Sequence, residues 1–168
     1  MNVALRLVNK DDLPLIQKYV SSEAVSRMTN VPDPYPPNGA EKWFAIVSEE
    51  HKAGKHFPFA IVVDGNFAGS ISVRREREGV GAIDYWVAPP FWKRSIGTKA
   101  AERAIEFGKK ELGFTMFETV CLVENRGSAR VLEKVGFQEG KEFQIRIGEK
   151  HEGKMARTYD LNSLWSSI

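Results

Sequence analysis

Residues 86–98 read Trp-Val-Ala-Pro-Pro-Phe-Trp-Lys-Arg-Ser-Ile-Gly-Thr, and this stretch decides how the chain is organised. The β-rich run 81–87 must stop at the two prolines, because proline donates no hydrogen bond to a strand ladder. The residues that follow, 97–112, place alanines and an isoleucine on one face and predict a helix that ends at Gly113. A strand, a proline break, a basic loop and a helix therefore succeed one another.

The start of this predicted helix has the features of an anion-binding site. Its first turn has main-chain N–H groups without intrahelical partners, and Lys93 and Arg94 add two cations beside them. Ser95, Gly97 and Thr98 are small enough to let phosphate oxygens approach the backbone. The alternative is an ordinary capped helix with two solvated basic side chains. Neither GxxxxGK followed by Ser or Thr nor GxGxxG occurs, so triphosphate and dinucleotide sites are not indicated.

The composition, with 168 residues of which 42% are apolar and 27% charged, is that of a soluble globular domain. The longest apolar run, 57–63, has the length of a strand, so we expect no membrane insertion. Charged residues within 1–30 interrupt any export signal, and we expect a cytoplasmic protein. One cysteine, Cys121, and three scattered histidines argue against a metal. The net charge of +2 does not indicate nucleic acid, although 93–110 holds six basic and two acidic residues.

Hydrophobic periodicity predicts seven strands and four helices. The strands span 3–8, 57–63, 67–75, 81–87, 116–123, 137–147 and 155–161, and the helices span 11–20, 38–54, 97–112 and 128–135. Asp64-Gly65-Asn66 predicts a hairpin turn, and Asn38-Gly-Ala-Glu41 resembles a capping box. The order of elements mixes an antiparallel meander with crossover helices. It predicts an α/β (α+β mixed) fold with one mixed sheet and helices on both faces, as a single domain over residues 1–168.

A second segment, together with the first, points to a family. Residues 124–137 read Glu-Asn-Arg-Gly-Ser-Ala-Arg-Val-Leu-Glu-Lys-Val-Gly-Phe and match the pattern NxxSxxxxEKxGF. Residues 85–100 are similar to the pattern YWVxPxYWGKGxATEA, with Ser95 in place of a glycine. The pair resembles the GNAT N-acetyltransferases, specifically the RimJ/RimL-like subgroup that includes ribosomal-protein N-acetyltransferases. The resemblance implies the GNAT fold, whose mostly antiparallel seven-stranded sheet has a V-shaped splay between strands 4 and 5.

The resemblance also implies acetyl-CoA as co-substrate and no metal. The main-chain amides of one loop would hold the pyrophosphate, namely those of Lys93, Arg94, Ser95, Ile96, Gly97 and Thr98. Trp86, Val87 and Ala88 would pair with the pantetheine arm as an added strand would, and Asn125 would hydrogen-bond that arm. For each of two residues an alternative stays open. Asn125 could be only a helix cap, without any contact to the cofactor. Ser95 could cap the long helix with its hydroxyl instead of straining the loop at a positive φ.

The implied reaction is direct attack of an amine on the acetyl thioester. The glutamate that many relatives carry on the fourth strand is missing, so we expect Asp84 to act as base or ammonium anchor, unless it only forms a cross-strand ion pair. The main-chain N–H of Val87 or Ala88 would stabilise the oxyanion. Ser128 would donate the proton to the leaving thiolate, unless it is merely a hydroxyl at a helix start.

The acceptor implied by the resemblance is a primary amine, either a protein N-terminal α-amine or an amine of a small molecule. We expect loops 27–37 and 148–154 to recognise it, with Tyr35 and Trp43 lining its pocket unless both belong to the core. A homodimer fits the family. Two other functions are considered. The first is a CoA-binding module with little catalytic activity. The second is nucleic-acid binding, which is supported only by the positive charge of residues 93–110.

Overall fold

One seven-stranded sheet with helices on both faces makes up the fold. The computed structural model describes residues 1–162, so the last six residues of the predicted domain lie outside the described part. The strands are β1 (Val3–Leu7), β2 (His56–Val63), β3 (Asn66–Arg77), β4 (Val80–Val87), β5 (Met116–Leu122), β6 (Gln138–Gln144) and β7 (Met155–Asn162). The helices are α1 (Leu13–Val20), α2 (Glu23–Ser26), α3 (Gly39–Lys52), α4 (Ile96–Leu112) and α5 (Arg126–Val135).

The strands lie in the order β1-β2-β3-β4-β5-β7-β6. The first four form an antiparallel meander, in which Asp64 and Gly65 turn the β2–β3 hairpin with φ of 48° and 84°. Strands β4 and β5 are parallel, because α4 returns the chain between them, and β7 pairs antiparallel with both β5 and β6. The predicted mixed sheet is confirmed.

Strands β4 and β5 touch only at their beginnings. Three pairs join them, Val80 with Met116, Gly81 with Phe117 and Ala82 with Glu118. Beyond Ala82, β5 stays paired with β7 as far as Leu122, while β4 continues along β3. The two strands therefore diverge and leave a V-shaped cleft, as the sequence predicted.

A large hydrophobic cluster joins the sheet to α4 and α5, and a smaller cluster joins the opposite face to α1 and α3. The α4 side needs a close approach at Gly108, where an added Cβ would lie 2.8 Å from Cε1 of Phe117. This contact brings the C-terminal half of α4 close to the Phe117 side chain of β5. The N-terminus of α4 lies beside the end of β4, since a Cβ added at Gly97 would lie 3.7 Å from Cε2 of Tyr85 and 3.9 Å from Cγ2 of Val87.

Several predicted boundaries differ from the structure. The first helix begins at Leu13, because Lys10–Asp12 form a 3-10 turn capped by Asn9. The capping box predicted at Asn38 is wrong, since that side chain makes no capping hydrogen bond. The strand predicted over 137–147 ends at Gln144, and α2 was not predicted at all. Within residues 1–162, no helix has both the length and the apolar character that crossing a bilayer requires.

Candidate active site

The loop before α4 holds two residues in the left-handed region. Lys93 has φ of 62°, and Ser95 has φ of 60° and ψ of 19°. The Ser95 side chain makes no capping hydrogen bond, so the alternative in which its hydroxyl caps α4 is wrong. A non-glycine residue in this region costs about 1–3 kcal/mol. The loop is therefore strained at the position where the family pattern has glycine.

This loop directs main-chain amides and one lysine toward the mouth of the cleft. The first hydrogen bond of α4 runs from Lys99 N to Ser95 O at 3.2 Å, so the N–H groups of Ile96, Gly97 and Thr98 have no acceptor within the helix. The side chain of Lys93 is exposed. These groups together can hold a diphosphate.

Arg94, the second cation of this loop, turns toward the first residues of the chain. Its guanidinium lies 5.6 Å from the centre of the Phe91 ring, and its Nη2 is 3.9 Å from Sδ of Met1. Arg94 therefore belongs to the wall of the loop, and its main-chain amide is the part that the predicted pyrophosphate site would use.

The main chain of β4 alternates between β3 and the cleft. Ala88 N donates to Ala68 O at 2.8 Å, which fixes Ala88 and, by alternation, Trp86 toward β3. The intervening residues Tyr85 and Val87 thus point their N–H and C=O groups into the splay, where β5 no longer pairs with β4. The prediction that Ala88 stabilises the oxyanion is therefore wrong, because its N–H is already used. Of residues 86–88, only Val87 has main-chain groups that face the splay and could pair with a pantetheine arm.

Val87 already has one partner at its carbonyl. The indole Nε1 of Trp92 donates to Val87 O at 2.6 Å. A carbonyl oxygen has two lone pairs, so it can accept a second hydrogen bond from the cleft side. No local sequence pattern predicts this contact, because it joins two residues across a proline turn.

Ser128 and Asn125 meet at the start of α5. Asn125 Oδ1 accepts from Ser128 N at 3.1 Å, so Asn125 caps the helix, and its amide NH₂ is the part that can reach a cofactor arm. The hydroxyl of Tyr85 lies 2.9 Å from Ser128 Oγ. Burial raises the pKa of Tyr85 to about 12. Tyr85 was not predicted, although its place on β4 between Asp84 and Trp86 puts it on the α5 side.

Cys121, on β5, lies beside the same group of side chains. Burial raises the pKa of its thiol, and its surroundings include Ser128 and Tyr159. A thiol of this kind is protonated at neutral pH, so it is no nucleophile there. The environment of Cys121 is therefore not that of an activated thiol.

Asp84 lies on the opposite face of β4, where α1 and α3 pack. Arg74 Nε donates to Asp84 Oδ2 at 2.7 Å and Arg74 Nη2 to Oδ1 at 3.2 Å. The structure thus contains the cross-strand ion pair that was the alternative to a catalytic role. The Asp84 side chain is nevertheless 59% exposed, so its oxygens can accept further hydrogen bonds. Arg74 reduces the net charge that an approaching amine would meet.

A buried polar group next to this ion pair was also missed. His56 Nε2 lies 2.8 Å from Ser72 Oγ, and His56 Nδ1 lies 3.5 Å from Glu50 Oε2. Burial lowers the pKa of His56, although the Glu50 carboxylate opposes this shift. Ser72 is itself buried. The arrangement therefore looks like a satisfied structural network within the sheet.

The two loops expected to recognise the acceptor are joined to each other. Lys150 Nζ donates to Ser26 O at 2.7 Å, to Ser26 Oγ at 3.1 Å and to Val31 O. His151 Nε2 lies 2.7 Å from Thr29 O, which is a further contact between the two loops. A cavity of about 590 Å³ lies between these loops, lined by Ser21, Glu23, Arg27, Asp33 and Lys154 among others.

Tyr35 and Trp43 do not line that cavity. Both pack against the small cluster of α1 and α3, and the Tyr35 ring lies directly over Gly39. Burial raises the pKa of Tyr35. The structure therefore places both aromatic residues in the core, the alternative that the sequence left open. Among the described residues, no group of three or more His, Cys, Asp or Glu side chains is arranged to hold a metal ion.

Comparison with known proteins identifies the family. The profile described as "Acetyltransferase (GNAT) domain" matches residues 2–138. The chain therefore belongs to the GNAT acetyltransferases, which confirms the family resemblance drawn from its two motifs. A relative called uncharacterized N-acetyltransferase p20, from Bacillus licheniformis, is 22% identical over 161 residues, which is 94% of this chain and 89% of that protein.

Solved structures share the fold. RimL, a ribosomal L7/L12 α-N-protein acetyltransferase in complex with coenzyme A, superposes with a TM-score of 0.86 at 15% identity and covers 96% of this chain and 94% of its own. Spermidine N-acetyltransferase from Vibrio cholerae, in complex with CoA and spermine, gives 0.84 at 14% identity and covers 96% of both chains. At these identities the likeness establishes the fold and leaves the acceptor undetermined.

Proposed function

We propose that this chain transfers the acetyl group of acetyl-CoA to a weakly basic primary amine, and that an N-terminal α-amine of a peptide is the acceptor type its site suits best. One observation carries the proposal: the cleft between β4 and β5 has the N-terminus of α4 at its mouth and the Val87 main chain along its wall. Family membership and the CoA complexes of similar structures support the same co-substrate.

The pyrophosphate would contact the amides of 93–98, with Lys93 adding charge from the exposed side. From there the pantetheine arm would follow Val87 and reach the NH₂ group of Asn125. The thioester would then lie near the end of β4, between the N–H of Val87 and the hydroxyl of Ser128. The Val87 N–H stabilises the oxygen that gains charge when nitrogen attacks the carbonyl carbon, and Ser128 faces the sulfur that leaves.

The choice of amine follows from the weakness of the base. A lysine-like amine has a pKa of about 10.4, so deprotonating it at pH 7 costs about 4–5 kcal/mol, whereas an α-amine of pKa about 8 costs about 1 kcal/mol. Asp84 is the carboxylate on the acceptor side of β4, and Arg74 shares both its oxygens. We propose Asp84 as an ammonium anchor and weak base, a role that is sufficient for an α-amine and insufficient for a lysine-like one.

The first experiment measures CoA binding. Calorimetric titration of coenzyme A should give one site per chain, and Lys93→Glu should weaken it at least about tenfold at low salt, since one charge-assisted phosphate contact is replaced by repulsion. Lys55→Glu makes the same charge change at an exposed position far from the cleft and should leave CoA affinity within twofold. Equal losses in both variants, or no heat at all, would contradict the site.

The second experiment identifies the acceptor. Thiol release from acetyl-CoA is followed with peptides that begin with small residues, with the same peptides carrying a blocked N-terminus, and with spermidine. We expect release with the free peptides only. Release with spermidine alone would reject the α-amine assignment, whereas CoA binding without release for any amine would favour the CoA-binding module.

Asp84→Asn tests the anchor in the same assay. With an α-amine acceptor we expect kcat/KM to fall about tenfold at pH 7, and the loss to shrink as the pH rises and the free amine becomes abundant. A loss that is independent of pH would show that the ion pair with Arg74 is only structural.

A further inference from the structure

One contact at the end of the cleft joins the two sides of the splay. Tyr85 extends from β4 toward α5, and a Cβ added at Gly97 would lie 3.7 Å from Cε2 of the Tyr85 ring and 3.3 Å from Cγ2 of Val131 on α5. Its hydroxyl oxygen lies 2.9 Å from Ser128 Oγ and 3.4 Å from Ser128 O. These two residues are 43 positions apart in the chain. They are brought together by the fold, which places the end of β4 next to the first turn of α5.

We propose that Tyr85 is a positioning residue for Ser128: its phenolic O–H donates to Ser128, which directs the hydroxyl hydrogen of Ser128 into the cleft and onto the sulfur of the leaving CoA. This inference rests on the proposed function, because it assigns the sulfur to the cleft beside Ser128.

The 2.9 Å distance allows either hydroxyl to donate to the other, and we assign the donor to Tyr85 because a phenol is a stronger hydrogen-bond donor than an alcohol. The carbonyl Ser128 O, which can only accept, lies 3.4 Å from the same phenolic oxygen. Once Ser128 Oγ accepts from Tyr85, its own hydrogen must point elsewhere. A serine in a helix otherwise donates back to a carbonyl of the preceding turn, which would withdraw the hydrogen from the cleft.

Tyr85 stays a donor throughout the pH range in which such an enzyme works, because burial raises its pKa to about 12. The thiol of Cys121 on β5 interacts with Ser128, and burial raises the pKa of that thiol. Cys121 in turn interacts with Tyr159 on β7, whose pKa burial also raises, and the positive charge of Arg157 acts on both groups. A neutral, oriented hydroxyl stabilises a thiolate without becoming ionised itself.

The balance of the step is simple. The amine nitrogen forms a bond to the carbonyl carbon, the carbon–sulfur bond breaks, and its electron pair moves to sulfur. The Ser128 O–H stabilises that negative charge by a hydrogen bond, and the proton that sulfur finally binds comes from the amine nitrogen. Tyr85 and Ser128 end the cycle as they began it.

The test compares Tyr85→Phe, Ser128→Ala, the double variant and Tyr159→Phe as matched control. Tyr159 is a second buried phenol on the same side of the sheet, and its hydroxyl interacts with Cys121 and Arg157 rather than with Ser128. We expect kcat to fall about tenfold in Tyr85→Phe and about a hundredfold in Ser128→Ala, with the KM for acetyl-CoA within about twofold of the wild type. The double variant should match Ser128→Ala, since Tyr85 acts only through Ser128.

A readout without any acceptor separates this role from general structural support. The thiolate absorbance of bound coenzyme A is titrated in the ultraviolet, and we expect the bound thiol of both Tyr85→Phe and Ser128→Ala to titrate about one pH unit higher than in the wild type. Tyr159→Phe should leave the titration unchanged.

Additive losses of kcat in the double variant, or a CoA thiol that titrates identically in Tyr85→Phe and wild type, would overturn the inference even if the enzyme is active. Failure of the proposed function has a different signature: the wild type does not bind CoA, or binds it and acetylates no amine while the thiol titration still responds to Tyr85→Phe. In the first of these cases the inference falls with the function, and in the second it stands.

Discussion

The strain at Ser95 gives a prediction that can be worked out from the backbone. Ser95 has φ of 60° and ψ of 19°, where an L-residue with a Cβ pays about 1–2 kcal/mol relative to the right-handed region. Ser95→Gly removes this cost but makes the unfolded chain more flexible, which costs about 0.5–1 kcal/mol. The free energy of unfolding should therefore rise by about 0–1.5 kcal/mol, which raises the Tm by up to about 6 °C for a chain of this length.

The measurement is thermal and urea unfolding, paired with calorimetric titration of coenzyme A. Affinity for CoA should stay equal or improve, because the amides of the loop keep their positions. Arg103→Gly is the control: Arg103 is exposed in the middle of α4, where glycine costs about 1 kcal/mol relative to a good helix former. A Tm that falls in Ser95→Gly, or a CoA affinity that drops more than tenfold, would mean that the serine hydroxyl contributes a bond we have not assigned.

Three further substitutions test other parts of the site. Gly69→Ala places a Cβ 2.2 Å from the main-chain oxygen of Trp86. We expect the free energy of unfolding, measured with urea, to fall by about 3 kcal/mol. A stability near that of the wild type would show that β4 can move aside. Lys150→Met leaves Val31 O and Ser26 O without the Lys150 ammonium donor, so amide hydrogen exchange over 26–31 should accelerate. The acceptor KM should rise several-fold while the KM for acetyl-CoA stays unchanged, and unaltered exchange would show that Lys150 does not hold the two loops together. Burial lowers the pKa of His56, so below about pH 6.5 the imidazole is protonated in the unfolded chain and not in the folded chain. The free energy of unfolding should therefore fall as the pH drops from 7 to 5. His56→Gln should show a smaller fall, and an equal fall in the variant would contradict the role of His56.

The fold could be predicted from the sequence because its signals are local. The hairpin at Asp64-Gly65, the proline break after Val87 and the periodicity of 97–112 each act over a few residues, and the structure confirms all three. Capping was less predictable, since Asn9 forms a capping box that was not proposed and Asn38 lacks the one that was. A cap depends on the rotamer of one side chain, which the pattern of residue types does not fix.

The site was harder to predict, because its decisive contacts join distant parts of the chain. Whether Ser95 caps or strains the loop depends on how β4 and α4 close around it, and nothing in residues 93–98 alone decides this. The ion pair of Asp84 with Arg74 requires the register of β3 on β4, in which Ser72 lies opposite Asp84. The pairing of Tyr85 with Ser128 requires the splay itself.

The pleat of β4 explains why one short strand can serve both partners of an acetyl transfer. Asp84 and Trp86 point to the face that α1 and α3 cover, whereas Tyr85 and Val87 point to the face of α4 and α5. Successive side chains of a strand alternate between its two faces. In the proposed reaction a base on β4 would therefore occupy an even-numbered position, and a group that supports the leaving sulfur would occupy an odd-numbered position. The attacking nitrogen and the leaving sulfur are bound to the same carbon in the tetrahedral intermediate, so in the proposed reaction groups from the two faces of β4 would act on neighbouring atoms of one centre. A one-residue insertion in β4 would exchange both sets at once, which predicts that it abolishes transfer while the loop at α4 can still bind CoA.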